Sequence, residues 1–310
     1  MMKKKVIVIL GPTATGKSAL GLWLAEQLAT EIISGDSMLV YKAFDIGTAK
    51  PGKEELNRVK HHLIDILTPD TNYSAAAFQQ EAAQIITKIN DEGKVPLLVG
   101  GTGLYLKALL EGYEFPASAE DSELRVELEQ QAKTVGNEAL YEKLCQLSPV
   151  IAEQIHPNNR KRLIRALEAA LTGSGISRSK QEELVYDAFV IGLTAERQKI
   201  YQRIDERVEE MFAAGLIDEV KNLISAGVSL KLPAMQALGY KDVVAYLNDE
   251  TDLATCKKLV AQHTRNFAKR QFTWYKKMPY VNWYDIDAYK QDETLSSIIW
   301  NDLVEWQKLE

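Results

Sequence analysis

The chain has 310 residues, 46% of them apolar and 26% charged, with a formal net charge of −6. That length holds one large domain or a domain with an insert, and the balance is that of an ordinary globular protein. It excludes a chain that is basic all over, so any nucleic-acid surface has to be local. It also excludes a membrane helix, because no apolar run approaches the roughly 18 residues a span requires.

Lys3-Lys4-Lys5 precedes a short apolar run, Val6-Ile7-Val8-Ile9-Leu10, which is too brief for a secretory signal and reads as a strand. Gly11-Pro12-Thr13-Ala14-Thr15-Gly16-Lys17-Ser18 follows, and then an amphipathic helix over 19–28. A G-x-x-x-x-G-K-S stretch between strand and helix is a phosphate-binding loop. Its glycines let successive N–H groups turn inward, and the helix N-terminus adds partial positive charge. Lys17 reaches the outer phosphates and Ser18 can hold Mg²⁺. The alternative is a glycine turn with an exposed lysine, and the flanking strand and helix weigh against it. The motif specifies a di- or triphosphate, not the molecule that carries it.

A strand over 31–36 ends on Asp36, and an irregular Gly-, Lys- and Asp-rich stretch covers 41–51. A strand is expected over 62–67. A helix over 74–90 places Phe78, Ala82, Ile85, Ile86 and Ile89 at helical spacing. A buried strand over 95–99 ends in Gly100-Gly101, and a helix over 102–110 comes next. Strands separated by helices imply an α/β fold with a mostly parallel sheet. Ligands of such sheets sit beyond the carboxyl ends of the strands, so Gly11, Asp36 and Gly100 should converge.

Near Glu114 the character changes. Helices over 120–133, 137–147 and 158–171 follow one another with no strand between them, and Gly173-Ser174-Gly175 reads as the most flexible stretch. Residues 114–187 are therefore expected to form a helical insert in a core made of 1–113 and 188–310. A strand over 188–193 returns to the sheet. Helices over 196–214, 216–225, 233–247 and 253–277 follow, then a short strand within 280–286 and a closing helix over 296–309. Cys145 and Cys256 are far apart, at no metal or redox spacing, which suits core residues in a reducing compartment.

Residues 257–277 carry seven Lys or Arg, no Asp or Glu, and the aromatics Phe267, Phe272, Trp274 and Tyr275. Arg265, Arg270 and Trp274 there suit a nucleic-acid backbone and base stacking. The plainer reading is a basic face paired with acidic helices. A second basic cluster, Arg160-Lys161-Arg162 with Arg165, opens an insert helix, where it opposes the helix dipole and makes most sense against phosphate. A motor or switch NTPase would place an Asp at the end of a core strand. The strand over 95–99 ends instead in Gly-Gly-Thr-Gly, leaving Asp36 as the acid at a strand end near the loop. These residues alone leave open a small-molecule kinase with the insert as its lid, and a transferase that uses the loop for another diphosphate.

Asp36-Ser37-Met38-Leu39-Val40-Tyr41 leading to Asp45-Ile46-Gly47-Thr48-Ala49-Lys50-Pro51 resembles the signature of the tRNA dimethylallyltransferases. Gly100-Gly101-Thr102-Gly103-Leu104-Tyr105 resembles the second signature of that family. His156-Pro157-Asn158 with Arg162-Leu163 and Arg165-Ala166-Leu167-Glu168 resembles its insert. Arg203-Ile204, Arg207-Val208, Gly239-Tyr240 and Ala268-Lys269-Arg270-Gln271 with Thr273-Trp274 resemble its C-terminal part, so the match runs along nearly the whole chain, in the shorter bacterial form.

The resemblance implies a P-loop kinase-like core and transfer of a dimethylallyl group from its diphosphate to N6 of adenosine 37, in tRNAs reading codons that begin with U. It implies that residues 11–18 hold the diphosphate as a leaving group, with Thr13, Lys17, Ser18 and Mg²⁺ neutralising its charge. Asp36 would be the general base, Thr102 would help hold the target nucleotide, and one of Arg203 and Arg207 would reach the diphosphate. Asp36, Ser37, Met38 and Leu39 would line the flipped base. Arg125 and the run Lys161, Arg162, Leu163, Ile164, Arg165 would grip the anticodon stem-loop. Such enzymes act as cytoplasmic monomers. The rivals are a prenyltransferase acting on free adenine nucleotides, a nucleotide-type kinase and an RNA-binding NTPase.

Overall fold

The structure, a computed structural model, describes residues 3–115, 122–173, 183–288 and 294–308. Residues 120–121, expected to open a helix, lie outside these, as do Ser174 and Gly175 of the expected flexible stretch. The chain divides into two compact units, one built from residues 1–111 and 182–310, the other from 112–181.

The first unit begins with β1 (Lys5–Leu10), whose aliphatic residues are buried from Val6 onward, as in a strand covered on both faces. Gly16, at φ 79°, holds the left-handed turn from which α1 (Lys17–Gln27) starts. Then come β2 (Ile32–Ser34), α2 (Lys53–Arg58), β3 (His61–His62), α3 (Ala75–Asp91), β4 (Leu97–Val99) and α4 (Gly103–Leu110). The second unit contains α5 (Ser122–Leu147), α6 (Pro149–Ala152) and α7 (Arg160–Thr172), with α5 kinked at Gly136 (φ 86°, ψ 167°). The chain returns through β5 (Asp187–Thr194), α8 (Arg197–Ala213), α9 (Leu216–Ser225), α10 (Tyr240–Leu247), α11 (Leu253–Tyr275), β6 (Asn282–Asp285) and α12 (Leu295–Lys308).

The six strands pair in parallel throughout, in the order β3-β2-β4-β1-β5-β6. Alternation along β1 divides its side chains between two cores. Val6, Val8 and Leu10 pack with Phe78 and Ile86 of α3 and Leu106 of α4, while Ile7 and Ile9 pack with Leu24 of α1 and Ile299 of α12. A third core joins α8, α9, α10 and α11 to Val40, Tyr41 and Phe44, which follow β2. The second unit has its own core, centred on Leu128, Leu144, Leu163 and Leu167.

Two expected elements are corrected. The strand over 62–67 shrinks to His61–His62, because Leu63 (φ 61°) and Asp65 (φ 54°) turn left-handed and only Leu67 regains a bridge, to Tyr41. The helix over 233–247 starts only at Tyr240, after turns in which Ala237 N–H donates to Ala234 O and Gly239 adopts φ 85°. The short helices α2 and α6, of six and four residues, span too few turns to be read from periodicity.

Candidate active site

Three strand ends build the site. Val99 of β4 is in register with both Ile9 of β1 and Ser34 of β2, so the loops after these strands leave the sheet side by side. Gly35 N–H donates to Val99 O (2.8 Å), and Thr102 N–H donates to Gly35 O (3.1 Å). A methyl group on Gly100 would lie 2.4 Å from the backbone of Gly35, so this approach requires glycine. Thr102 Oγ1 accepts from Ser37 N–H (2.9 Å) and lies 3.2 Å from Ser37 Oγ. Asp36 Oδ1 accepts from Met38 N–H (2.9 Å), which aims the carboxylate from the head of β2.

These loops open on a cavity of about 750 Å³. Thr13, Lys17 and Ser18 line it from the phosphate loop, Asp36, Ser37, Met38 and Leu39 from the loop after β2, and Thr102 from the loop after β4. Lys17 Nζ donates to Pro12 O (2.7 Å). Burial first, and then the neighbouring Arg207, bring the Lys17 pKa down to about 8, with Asp36 opposing. Burial raises the Asp36 pKa above the ordinary carboxylate value, against the Met38 hydrogen bond and the charges of Lys17 and Arg207. Burial lowers the Arg207 pKa, with Glu210 and Asp36 opposing. A carboxylate of raised basicity thus shares one cavity with two cations.

Arg203 and Arg207 of α8, the two diphosphate candidates, differ in their surroundings. Arg207 lines this cavity. Arg203 does not: its Nη2 donates to Asp287 Oδ1 (2.5 Å), and it lines only a neighbouring cavity on the outer side of the phosphate loop, which Arg207 borders as well. The basic helix α11 also divides by face. Arg265 pairs with Asp205 of α8 and lies over the Tyr201 ring, and Lys257 pairs with Glu209 (2.5 Å). Arg265, expected to contact nucleic acid, is thus engaged by an acidic helix in this structure. Arg270, stacked over Phe267 at 5.8 Å, and Trp274 line the cavity, and Trp274 packs so closely on Gly103 that a methyl there would lie 2.4 Å from the indole.

In the second unit Lys161, Arg162 and Arg165 are exposed on α7, whose N-cap Asn159 accepts from Arg162 N–H. Leu163 and Ile164, expected to touch RNA, are instead buried in that unit's core; their helical positions put them on the inward face. Arg125 donates to Glu168 Oε2 (2.6 Å), an ion pair within the unit.

Sequence reading missed three anchoring residues. Gln271 and Tyr275 of α11 both bond Gly101 O (2.8 Å each). Glu219 of α9 gathers the N–H groups of Asp45 (3.1 Å), Ile46 (2.7 Å) and Gly47 (3.2 Å), plus the Tyr240 hydroxyl (2.7 Å). The signals available were the place of Gln271 in the stretch Ala268-Lys269-Arg270-Gln271 and its four-residue spacing from Tyr275, on a helix read mainly for its charge.

A glycine loop for a di- or triphosphate, at the carboxyl edge of a parallel sheet and facing a carboxylate, defines an α/β enzyme of the P-loop kinase-like class. The family model described as IPP transferase matches residues 39–278. The chain is 46% identical over 291 residues to a tRNA dimethylallyltransferase of Geobacter sulfurreducens, covering 92% of this chain and 93% of that one. It is 47% identical over 303 residues to one of Carboxydothermus hydrogenoformans, covering 96% and 97%. Among solved structures, a tRNA isopentenylpyrophosphate transferase of Bacillus halodurans is similar at TM-score 0.73 and 40% identity, covering 99% of each chain. A eukaryotic dimethylallyltransferase acting on tRNA is similar at TM-score 0.83 and 29% identity, covering 97% of this chain and 80% of that one. The chain belongs to the IPP transferase family.

Proposed function

We propose that this enzyme transfers the dimethylallyl group of dimethylallyl diphosphate to N6 of adenosine 37, in the anticodon stem-loop of tRNAs reading codons that begin with U. Family membership supports dimethylallyl transfer to tRNA. The observation that carries the chemistry is the single cavity shared by Lys17, Arg207 and Asp36. In the reaction the bond between the allylic carbon and the diphosphate oxygen breaks, and a bond from that carbon to N6 forms. Lys17, Arg207 and Thr13 stabilise the charge that builds on the leaving diphosphate. The allylic carbon delocalises its developing positive charge, so leaving-group stabilisation carries much of the rate. A purine amine is a poor nucleophile, and Asp36 takes the N6 proton as the new bond forms.

The residues present fit Mg²⁺. Ser18 offers a hydroxyl to the cavity beside the phosphate loop. A single hydroxyl there suits an ion held mainly by substrate oxygens. When bound, it supplies charge neutralisation on the diphosphate.

The target base has to leave its stack to reach Asp36. Ser37, Met38, Leu39 and Thr102 line its place, with Arg270 and Trp274 beside it. Lys161, Arg162 and Arg165 supply an exposed basic turn for the stem-loop backbone. The joint substitution Arg162→Ala and Arg165→Ala is expected to weaken tRNA binding and flatten its salt dependence, measured by titration at several salt concentrations. Unchanged affinity and slope would remove that surface from the account. No helix among the described residues is long and apolar enough to cross a membrane. Action as a monomer in the cytoplasm is part of the same proposal.

The testing experiment supplies Mg²⁺ and labelled dimethylallyl diphosphate to two tubes, one with unmodified tRNA and one with AMP. Label is expected in tRNA alone. Label in AMP would favour a nucleotide prenyltransferase.

A further inference from the structure

The donor side and the acceptor side of the cavity are joined by one buried amide. Gln271 of α11 is 5% exposed. Its Oε1 accepts from Thr13 N–H of the phosphate loop (2.9 Å), and its Nε2 donates to Gly101 O of the loop after β4 (2.8 Å). A buried amide with both ends satisfied holds its partners firmly, since losing either bond leaves an unpaired polar group. A methyl on Gly101 would lie 2.7 Å from Gln271 Nε2 and 3.2 Å from Asp36 Oδ2, so the amide and the carboxylate flank the same point. Gly101 is followed by Thr102, whose hydroxyl accepts from Ser37 N–H beside Asp36. The chain of contacts therefore runs from the loop that holds the diphosphate, through Gln271, to the loops that hold the proposed base.

Tyr275, one turn further along α11 and fully buried, donates to the same Gly101 oxygen (2.8 Å) and, among the described residues, does not bond the phosphate loop. It anchors the acceptor side alone. Arg270 and Trp274, one residue before each, line the cavity. One helix thus carries both the groups facing the nucleotide and the brace behind them.

We infer that Gln271 is a positioning residue for prenyl transfer: it sets the distance between the leaving diphosphate and the acceptor nitrogen by cross-linking the phosphate loop to the Gly101–Thr102 loop. The inference rests on the reading under Proposed function. The transfer needs the allylic carbon and N6 held at near-attack distance and in line with the breaking bond. A displacement of about 1 Å between the two sides costs on the order of 100-fold in rate without removing any substrate contact. The phosphate loop and the acceptor loops each keep their own ligands, so binding of either substrate alone survives.

The test is steady-state transfer to unmodified tRNA by the full chain, compared with Gln271→Met, close in size but without the amide bonds, and with Tyr275→Phe. For Gln271→Met a kcat loss of ~100-fold is expected, with KM for dimethylallyl diphosphate and Kd for tRNA within about threefold of wild type. Tyr275→Phe keeps the bridge and is expected to retain kcat within about fivefold, although it too removes a buried hydrogen bond. A general structural role would instead make both variants lose rate in step with their unfolding midpoints. A Gln271→Met enzyme with kcat within about threefold of wild type, or with its loss confined to KM, would overturn the inference. If that variant does not fold, Gln271→Glu, which cannot donate to Gly101 when ionised, is judged by the same criteria. Absence of transfer by the wild-type enzyme would overturn the functional reading and this inference with it. Transfer by wild type and variant alike would overturn this inference alone.

Discussion

Asp36→Ala is expected to cut turnover by ~100-fold or more while leaving tRNA affinity largely intact, measured by single-turnover transfer beside equilibrium tRNA binding. The expectation follows from position and basicity together. Asp36 stands at the head of β2, aimed by the Met38 N–H, in the cavity that the phosphate loop also lines. Burial raises its pKa while Lys17 and Arg207 oppose the rise. A general base works only when deprotonated. The wild-type rate should therefore fall as pH drops through this raised value, and the acid limb should lie above the ordinary carboxylate range. In Asp36→Ala that limb should disappear. Equal losses in binding and rate would make Asp36 a positioning group for the nucleotide instead.

The second large effect separates two arginines one helical turn apart. Arg207→Ala is expected to lower kcat/KM for dimethylallyl diphosphate by ~100-fold or more, the scale of losing one preorganised charge at a developing anion. Arg207 lines the cavity, and its charge is felt by both Lys17 and Asp36. Arg203→Ala should act mainly on stability, because Arg203 holds Asp287 at 2.5 Å and lies outside that cavity. The expected pattern is a lowered unfolding midpoint with kcat/KM within about tenfold of wild type. The reverse ranking in kcat/KM would show that Arg203 turns from Asp287 to the diphosphate when substrate binds.

Much of this site could be read along the chain because its parts are local. The strand, glycine loop and helix of residues 5–27 are contiguous, and their chemistry follows from backbone geometry. Asp36 and Gly100 were expected to meet because parallel strands end at one edge, and the shared register of Ile9, Ser34 and Val99 brings them there. What stayed hidden depends on which way a helix faces. Arg203 and Arg207 share a spacing that predicts one face, yet Asp287 on a distant loop draws Arg203 away. Arg265 and Arg270 looked alike as charges on a basic helix, and only the acidic face of α8 separates them. Leu163 and Ile164 sat in a basic run but serve the core of their own unit. Gln271 and Glu219 act on backbone groups far away in sequence, and nothing in their immediate neighbours marks such partners.

The most direct test of the central claim is the position of the label in the product. Unmodified tRNA reading a codon that begins with U is incubated with Mg²⁺ and labelled dimethylallyl diphosphate, then digested and mapped, beside the same tRNA carrying guanosine at position 37. The account expects a single labelled nucleoside, N6-dimethylallyladenosine, at position 37, and none in the guanosine variant. Label at another nucleotide, or equal labelling of both tRNAs, would contradict it.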